Sequence, residues 1–129
     1  MITLRTGIDL IELHRLEEIS PAIRERFLLR VFTTAELEDT GGALHSLSGR
    51  FAAKEAVAKA LGCGIGPVSW KDIEILNGSI GEPILKLHGN AVKIAAEMHL
   101  EVWSISISHS RTQAVAVAVA AGEIISHSP

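Results

Sequence analysis

The sequence predicts an α+β domain in which a small, mostly antiparallel sheet packs with helices. Segments with strand-like alternation and segments with helical apolar stripes follow one another along the chain. Hydrophobic residues make up 47% of the chain and aromatic residues only 4%, so Leu, Ile, Val and Ala must supply most of the core. With 129 residues, the chain is expected to form a single domain over 1–129.

The first predicted strand runs from Thr3 to Leu13 and carries a carboxylate on an apolar face. Asp9 has the same parity as Ile11 and Leu13, and an unpaired charge among apolar neighbours is costly. Asp9 therefore needs a partner, which is either a structural salt bridge or a cation. Gly7, on the same face, predicts that another part of the backbone approaches closely.

Two helices are predicted next. Ser20 and Pro21 are favoured at the N-cap and first position of a helix that continues to about residue 32. Its expected apolar stripe consists of Ile23, Phe27, Leu28 and Val31. Thr33 and Glu36 have the spacing of a capping box, which predicts a short helix that ends at Gly41 and Gly42.

The helix predicted over 44–61 contains the run RFAAKEAVAKALG, from Arg50 to Gly62. Phe51, Glu55 and Lys59 recur every four residues and so form one stripe on this helix. Glu55 and Lys59 at this spacing form an ordinary solvated ion pair in one interpretation, and part of a functional site in the other. Gly62 suits the helix C-terminus.

The second half of the chain is predicted to supply a hairpin, a helix and two more strands. A turn at Asn77-Gly78 separates the two strands of the hairpin. The expected segments are strands Trp70–Leu76 and Pro83–His88, a helix Asn90–His99, and strands 102–110 and Ala114–Ala121. The last strand is apolar on both faces, so it is expected to be central in its sheet or to lie in a subunit interface.

Composition argues against several classes of protein. A formal net charge of −3 provides no field that would hold nucleic acid. The single cysteine, Cys63, rules out an internal disulfide framework and suits the cytoplasm. The N-terminus has no basic and apolar leader, and no apolar run approaches ~20 residues, so we expect neither secretion nor a membrane span.

A local basic region stands out within this slightly acidic chain. It consists of Arg15, Arg24, Arg26 and Arg30. Neighbouring acids nearly cancel its charge, namely Glu17, Glu18 and Glu25. The region is therefore either a solvated helix face or a docking surface for an acidic protein partner.

Among familiar chemistries, a magnesium site fits the sequence best. The six histidines are scattered and there is one cysteine, which does not suit zinc. Ser108, His109 and Ser110 lack the context of a nucleophile elbow. Asp9 and Glu55, from separate elements, are hard oxygen ligands that suit Mg²⁺, and Lys59 would add a positive charge for a phosphate.

Three motifs carry a resemblance to a known family. They are GIDLIELHR at Gly7–Arg15, GRFAAKEAVAKALG at Gly49–Gly62 and SISISHS at Ser104–Ser110, and RVFTTAE at Arg30–Glu36 also fits. The sequence resembles the holo-[acyl-carrier-protein] synthases, the small trimeric class of 4′-phosphopantetheinyl transferases. The resemblance implies that family's fold and a homotrimer with its sites between subunits.

The resemblance also implies roles for individual residues. Asp9 and Glu55 fall on the family's Mg²⁺ ligands, and the metal bridges them to the pyrophosphate of coenzyme A. Lys59 falls on the lysine that contacts the phosphates. These three are the expected catalytic residues. The positions expected to line the coenzyme A nucleotide are Arg50, Pro83, His109 and Ser110.

Other positions bear on the partner and the class. Arg15 falls on a residue that meets the acidic recognition helix of acyl carrier protein, and Arg24 and Arg26 lie close enough to join it. Ile11 is apolar where the larger single-chain transferases carry another acid, which favours the trimeric class. Gln113 departs from the family, because that position is usually aromatic.

The implied reaction transfers the 4′-phosphopantetheine arm of coenzyme A to a serine of apo acyl carrier protein, releases 3′,5′-ADP and serves fatty acid biosynthesis. Glu55, or a metal-bound water that it orients, is expected to take the serine proton, and the sequence leaves this choice open. A non-catalytic coenzyme A or nucleotide-binding module with the same fold is the alternative. A purely structural subunit would leave Asp9 on its apolar face unexplained.

Overall fold

A computed structural model describes residues 1–125, which form five strands and five α-helices. The strands are β1 (Ile2–Glu12), β2 (Ile73–Asn77), β3 (Pro83–Leu87), β4 (Val102–His109) and β5 (Gln113–Glu123). The helices are α1 (His14–Glu17), α2 (Pro21–Val31), α3 (Thr34–Thr40), α4 (Leu44–Leu61) and α5 (Gly89–Glu97). The α+β class is confirmed.

The strands divide into two antiparallel sheets, whereas the sequence predicted one. A three-stranded sheet has the order β1-β5-β4, and β2 and β3 form a separate hairpin. The turn at Asn77-Gly78 joins β2 to β3, and among the described residues these two strands pair with each other alone. The final Ala/Val strand was expected to be central or to lie in a subunit interface, and it is central, since β5 pairs with β1 on one side and with β4 on the other.

Helix α4 packs across one face of the three-stranded sheet at very short range. The alanines of β5 point toward the helix and are fully buried, namely Ala114, Ala116, Ala118 and Ala120. A Cβ on Gly7 would overlap the backbone carbonyl of Ala56 on α4, which confirms that this glycine permits close approach. Small residues on both elements therefore allow the backbone of α4 to pack in direct contact with the backbone of β1.

Several local predictions needed correction. Residues Trp70–Asp72 form a 3-10 turn before β2 instead of its first three residues, and α1 had no counterpart in the sequence prediction. Ile23 was expected in the buried stripe of α2 but is 54% exposed. It lies one turn before Phe27, at the start of the helix, and so beyond the cluster of Val31, Phe32 and Leu47 that α2 covers.

The capping predictions hold with one qualification. Thr33 accepts a hydrogen bond from the backbone of Glu36, and the Glu36 carboxylate accepts one from the backbone of Thr33, which confirms the capping box. Gly62 ends α4 in the left-handed conformation, as expected. Ser20 occupies the N-cap of α2, but its hydroxyl makes no capping bond. Within residues 1–125, no helix has both the length and the hydropathy that crossing a bilayer requires.

Candidate active site

The structure brings Asp9 of β1 and Glu55 of α4 to one cleft of about 440 Å³. Both side chains are partly shielded from water. Burial and the nearby charge of Asp9 raise the pKa of the Glu55 carboxyl, and Lys59 acts in the opposite direction. The two carboxylates are therefore close enough to repel each other, although they come from elements far apart in the sequence.

The side chain of Lys59, on α4, forms hydrogen bonds with β1. Its ammonium donates to the Ile8 carbonyl at 2.9 Å and to Oδ1 of Asp9 at 3.2 Å. The ion pair thus crosses to β1 instead of joining Lys59 to Glu55 on the same helix. The Lys59 side chain is 52% exposed and that of Asp9 is 21% exposed, so this is a weak pair that can rearrange when a ligand arrives.

The two carboxylates, Asp9 and Glu55, are oxygen ligands of the kind that Mg²⁺ prefers. Within residues 1–125 there is no cluster of three or more His, Cys, Asp or Glu side chains suited to a metal. Mg²⁺ is commonly bound by one or two carboxylates, with substrate phosphates and water completing its shell. The mutually repelling carboxylates of Asp9 and Glu55 are such a pair, because a divalent cation between them would relieve the repulsion.

The rest of this cleft is mainly apolar. Its lining consists of Leu10, Ile11, Leu16, Ile19, Phe27 and Phe51, together with Arg15. The Phe51 ring stacks on Trp70 with centroids 4.9 Å apart and lies 5.5 Å from the Phe27 ring. The carboxylate pair therefore lies beside an aromatic surface that ends at a guanidinium group.

Three of the four predicted nucleotide residues line a second cleft, of about 280 Å³. Arg50, Pro83 and His109 lie around it together with Asp39 of α3. The buried Arg50 guanidinium donates to the Ile75 carbonyl at 2.5 Å and to Asp39 at 2.9 Å. A hydrogen bond from the Asn77 backbone and the Arg50 guanidinium hold the pKa of Asp39 below its usual range.

His109 packs on the first turns of α4. Its Nε2 lies 3.1 Å from the backbone carbonyl of His45, and the two imidazole rings are 4.3 Å apart between centroids. A Cβ on Gly49 would come within 2.5 Å of this Nε2, so Gly49 makes room for the ring. Partial burial and the neighbouring His45 lower the pKa of His109.

Ser110 lies in a different, smaller cleft. Its hydroxyl accepts hydrogen bonds from the backbone amides of Thr112 at 3.3 Å and Gln113 at 3.0 Å, which occupies it in the turn between β4 and β5. That cleft shares Leu10 with the carboxylate cleft and His109 with the second cleft.

Gln113 has a structural role in place of an aromatic ring. Its side chain donates to Oε1 of Glu12 at 2.7 Å, and the two residues are paired in the register of β1 and β5. The bond joins the ends of the two strands next to the cleft that holds Ser110.

The three arginines of the predicted docking region differ. Arg15 and Arg26 are exposed, and Arg15 lies at the carboxylate cleft. Arg24 is half-buried and donates to the carbonyls of Leu16 at 3.3 Å and Glu17 at 3.4 Å, so it ties α2 to the end of α1. Arg24 has fewer donors left for a partner than the other two.

Sequence reasoning missed a buried ion pair beside the site. The Lys54 ammonium donates to Oε1 of Glu36 at 2.7 Å and to the carbonyls of Trp70 and Ile73. The only available signal was a lysine among alanines on the buried side of α4. Asp39 and His45 were also missed, and no motif marks either of them.

Comparisons with known proteins agree with this architecture. The family model described as the 4′-phosphopantetheinyl transferase superfamily matches residues 5–120. A holo-[acyl-carrier-protein] synthase of Alkaliphilus oremlandii is 48% identical over 119 residues, which cover 88% of this chain and 95% of the relative. One from Herpetosiphon aurantiacus is 43% identical over 124 residues, which cover 91% and 98%.

Solved structures give the same result. The crystal structure of a Helicobacter pylori holo-[acyl-carrier-protein] synthase in complex with coenzyme A has a TM-score of 0.80 and 32% identity, and the match covers 89% of this chain and 98% of that one. The carboxylate cleft and the antiparallel sheets thus occur in a chain whose relatives share its sequence and its fold. The chain belongs to the 4′-phosphopantetheinyl transferase superfamily.

Proposed function

We propose that this chain is a holo-[acyl-carrier-protein] synthase, which transfers the 4′-phosphopantetheine arm of coenzyme A to a serine of apo acyl carrier protein. The curated relatives carry that activity in their names, and they match nearly the whole chain. The observation that carries the proposal is the cleft in which Asp9 and Glu55 meet beside Lys59, with Arg15 at the same cleft.

Asp9 and Glu55 would hold Mg²⁺, and Lys59 would contact the coenzyme A phosphates. When bound, the metal would neutralise negative charge on the pyrophosphate oxygens. Lys59 is exposed and weakly paired, so its ammonium can leave Asp9 for a phosphate oxygen. It would stabilise the charge that builds up as the pyrophosphate bond breaks.

The reaction balances with one proton transfer. The serine oxygen of the carrier protein bonds to the phosphorus that carries the pantetheine arm, and the bond from that phosphorus to the bridging oxygen breaks. The electron pair leaves with 3′,5′-ADP. Glu55, half-buried in the cleft, would accept the serine proton, either directly or through a metal-bound water that it orients.

The nucleotide would occupy the cleft of Arg50, Pro83 and His109. Ser110 would contribute from the adjoining smaller cleft, which shares His109. Arg15, Arg26 and the remaining donors of Arg24 would meet the acidic surface of the carrier protein, with the apolar lining of the carboxylate cleft beneath it.

The active unit would be a homotrimer with its sites between subunits. The face of the three-stranded sheet turned away from α4 leaves apolar side chains exposed on β1 and β5, namely Leu4, Ile8, Leu10 and Val117. An exposed apolar face of this kind indicates a protein interface. We place the enzyme in the cytoplasm, as a single domain that serves fatty acid biosynthesis.

A direct assay tests the proposal. Purified protein is mixed with Mg²⁺, coenzyme A and an apo acyl carrier protein, and the carrier is weighed by mass spectrometry. The expected result is the mass of one phosphopantetheine arm on the carrier, together with release of 3′,5′-ADP. Binding of coenzyme A without any transfer to a panel of apo carriers would instead indicate the non-catalytic binding module.

A further inference from the structure

The second cleft, to which the proposed function assigns the nucleotide, has little net charge of its own. Among the described residues that line this cleft, Arg50 is the only permanently charged cation, and Asp39 pairs with it at 2.9 Å. The two charges largely offset each other, so a phosphate entering the cleft would meet little net positive charge. His109 is the remaining titratable side chain in that lining.

The hydrogen bonding of His109 defines where a proton would add. A carbonyl oxygen can only accept, so the 3.1 Å contact with the His45 carbonyl requires a hydrogen on Nε2 of His109. The neutral ring then has its lone pair on Nδ1. Protonation at Nδ1 would produce an imidazolium that keeps its bond to α4 and gains a second N–H donor.

The surroundings of His109 disfavour that charge when no ligand is present. From α4 it is faced by the ring of His45, whose centroid lies 4.3 Å away with the two rings tilted by 36°, and Arg50 lines the same cleft. Asp39 contributes from α3, but it is bound to Arg50. The turn after β4 carries Arg111, which is exposed. Burial and His45 lower the pKa of His109, so the ring is mostly neutral near pH 7.

We propose that His109 takes up a proton at Nδ1 when a phosphate group of the nucleotide binds in this cleft, and that packing against the ring of His45 and the first turns of α4 keeps His109 neutral until then. This inference rests on the proposed function, which places the nucleotide there. A bound phosphate favours the charged ring, so binding takes one proton from solvent and breaks no covalent bond. Affinity for the nucleotide should therefore rise as pH falls between the bound-state and free-state pKa values of His109.

Isothermal titration calorimetry of 3′,5′-ADP into the intact protein tests this at pH 6.5. Titrations in several buffers of different ionisation enthalpy give the number of protons taken up on binding. The ligand's own titration is common to all variants and cancels in their comparison. Relative to wild type, we expect His109→Asn to lower the number of protons taken up per site. We expect a smaller decrease in His45→Asn, because His109 would then be partly protonated before the ligand binds.

The control is His99→Asn, at an exposed position after α5 whose positive φ of 57° suits asparagine. It should match wild type. A second measurement needs no variant: the NMR titration of the His109 ring should shift to higher pH when 3′,5′-ADP is bound. Equal proton uptake in wild type and His109→Asn, or a ring titration that the ligand does not move, would overturn the inference alone. A wild-type protein that does not bind 3′,5′-ADP would overturn the proposed nucleotide site, and the inference with it.

Discussion

The Lys54 ammonium lies 2.7 Å from Oε1 of Glu36, and neither side chain is exposed to solvent. Lys54 directly precedes Glu55 in α4, yet the two side chains serve different purposes because they point to different sides of the helix. Lys54 and Glu36 join α4 and α3 to β2, since Glu36 also accepts from the Ile75 amide at 3.0 Å. Glu55, one residue later, points to the cleft.

Removing Lys54 should therefore destabilise the fold. In Lys54→Met, the buried carboxylate of Glu36 loses its cation, which typically costs about 3–5 kcal/mol. Urea unfolding followed by circular dichroism, at fixed protein concentration, should show a large fall in the midpoint. Lys59→Met is the matched control on the same helix, and its exposed ion pair predicts a loss of under about 1 kcal/mol. Similar midpoints for the two variants would contradict this account of Lys54.

Substitution of either carboxylate at the cleft should abolish transfer without unfolding the protein. Asp9→Ala or Glu55→Ala removes one of the two proposed Mg²⁺ ligands. The close packing of Gly7 on β1 against the backbone of α4 is unchanged, so the fold should be kept. Transfer is measured by mass spectrometry over a range of Mg²⁺ concentrations, and folding by circular dichroism. Glu97→Ala, at an exposed acid on α5, should retain activity. Wild-type turnover in either cleft variant would remove the metal-site proposal.

Much of the site could be predicted from the sequence because its geometry is local to single elements. Strand parity put Asp9 on the apolar face of β1, which in the structure is the face that meets α4. Helical spacing put Phe51, Glu55 and Lys59 on one stripe. The apolar character of both faces of the last strand predicted a central or interface strand, and β5 is central, with alanines packed against α4 on one face and Val117 exposed on the other.

The features that the sequence did not predict depend on contacts between elements that are distant in the chain, and a helical or strand-like sequence pattern does not reveal such contacts. A capping box predicts that Glu36 bonds to the backbone of Thr33, but it does not predict that the same carboxylate meets Lys54. Likewise, Arg24 looked like one of several exposed arginines, and only the packing of α1 against α2 directs it to the Leu16 carbonyl. The division of the five strands into two sheets likewise depends on which distant strands pair, and the sequence pattern did not predict it.

Asp39 should make stability depend on pH in the acid range. Its folded-state pKa is depressed, chiefly by the Asn77 amide and by Arg50, so its carboxylate stabilises the protein above the unfolded-state pKa of about 3.9. That contribution is lost as pH falls toward the folded-state pKa. Asp39→Asn should be less stable than wild type at pH 7, and its urea midpoint should change less between pH 5 and pH 3. Glu38→Gln, at an exposed position on the same helix, should follow wild type. A wild-type slope in Asp39→Asn would show that this carboxylate is not the cause.

Salt should weaken docking of the carrier protein more than it slows the chemistry. Exposed arginines attract an acidic partner through water, and this attraction is screened within about 8 Å at physiological ionic strength. Added NaCl should therefore raise KM for the carrier more than it lowers kcat, and Arg26→Ala should reduce that salt dependence. Lys93→Ala, at an exposed cation on α5, is the control. A kcat/KM that stays flat with ionic strength would argue against the docking region.

The exposed face of the three-stranded sheet should hold the subunits together. Val117 lies at the centre of that face, opposite Ile8 in the register of β1 and β5. In Val117→Glu, assembly would bury an unpaired carboxylate, so the protein should sediment as a monomer and lose transfer if its sites lie between subunits. Val92→Glu introduces the same charge at an exposed valine on α5 and should leave both assembly and activity intact. Analytical ultracentrifugation gives the mass, and the mass-spectrometric assay gives the activity of the same samples. A fully active monomer, in wild type or in Val117→Glu, would show that each chain holds a complete site by itself.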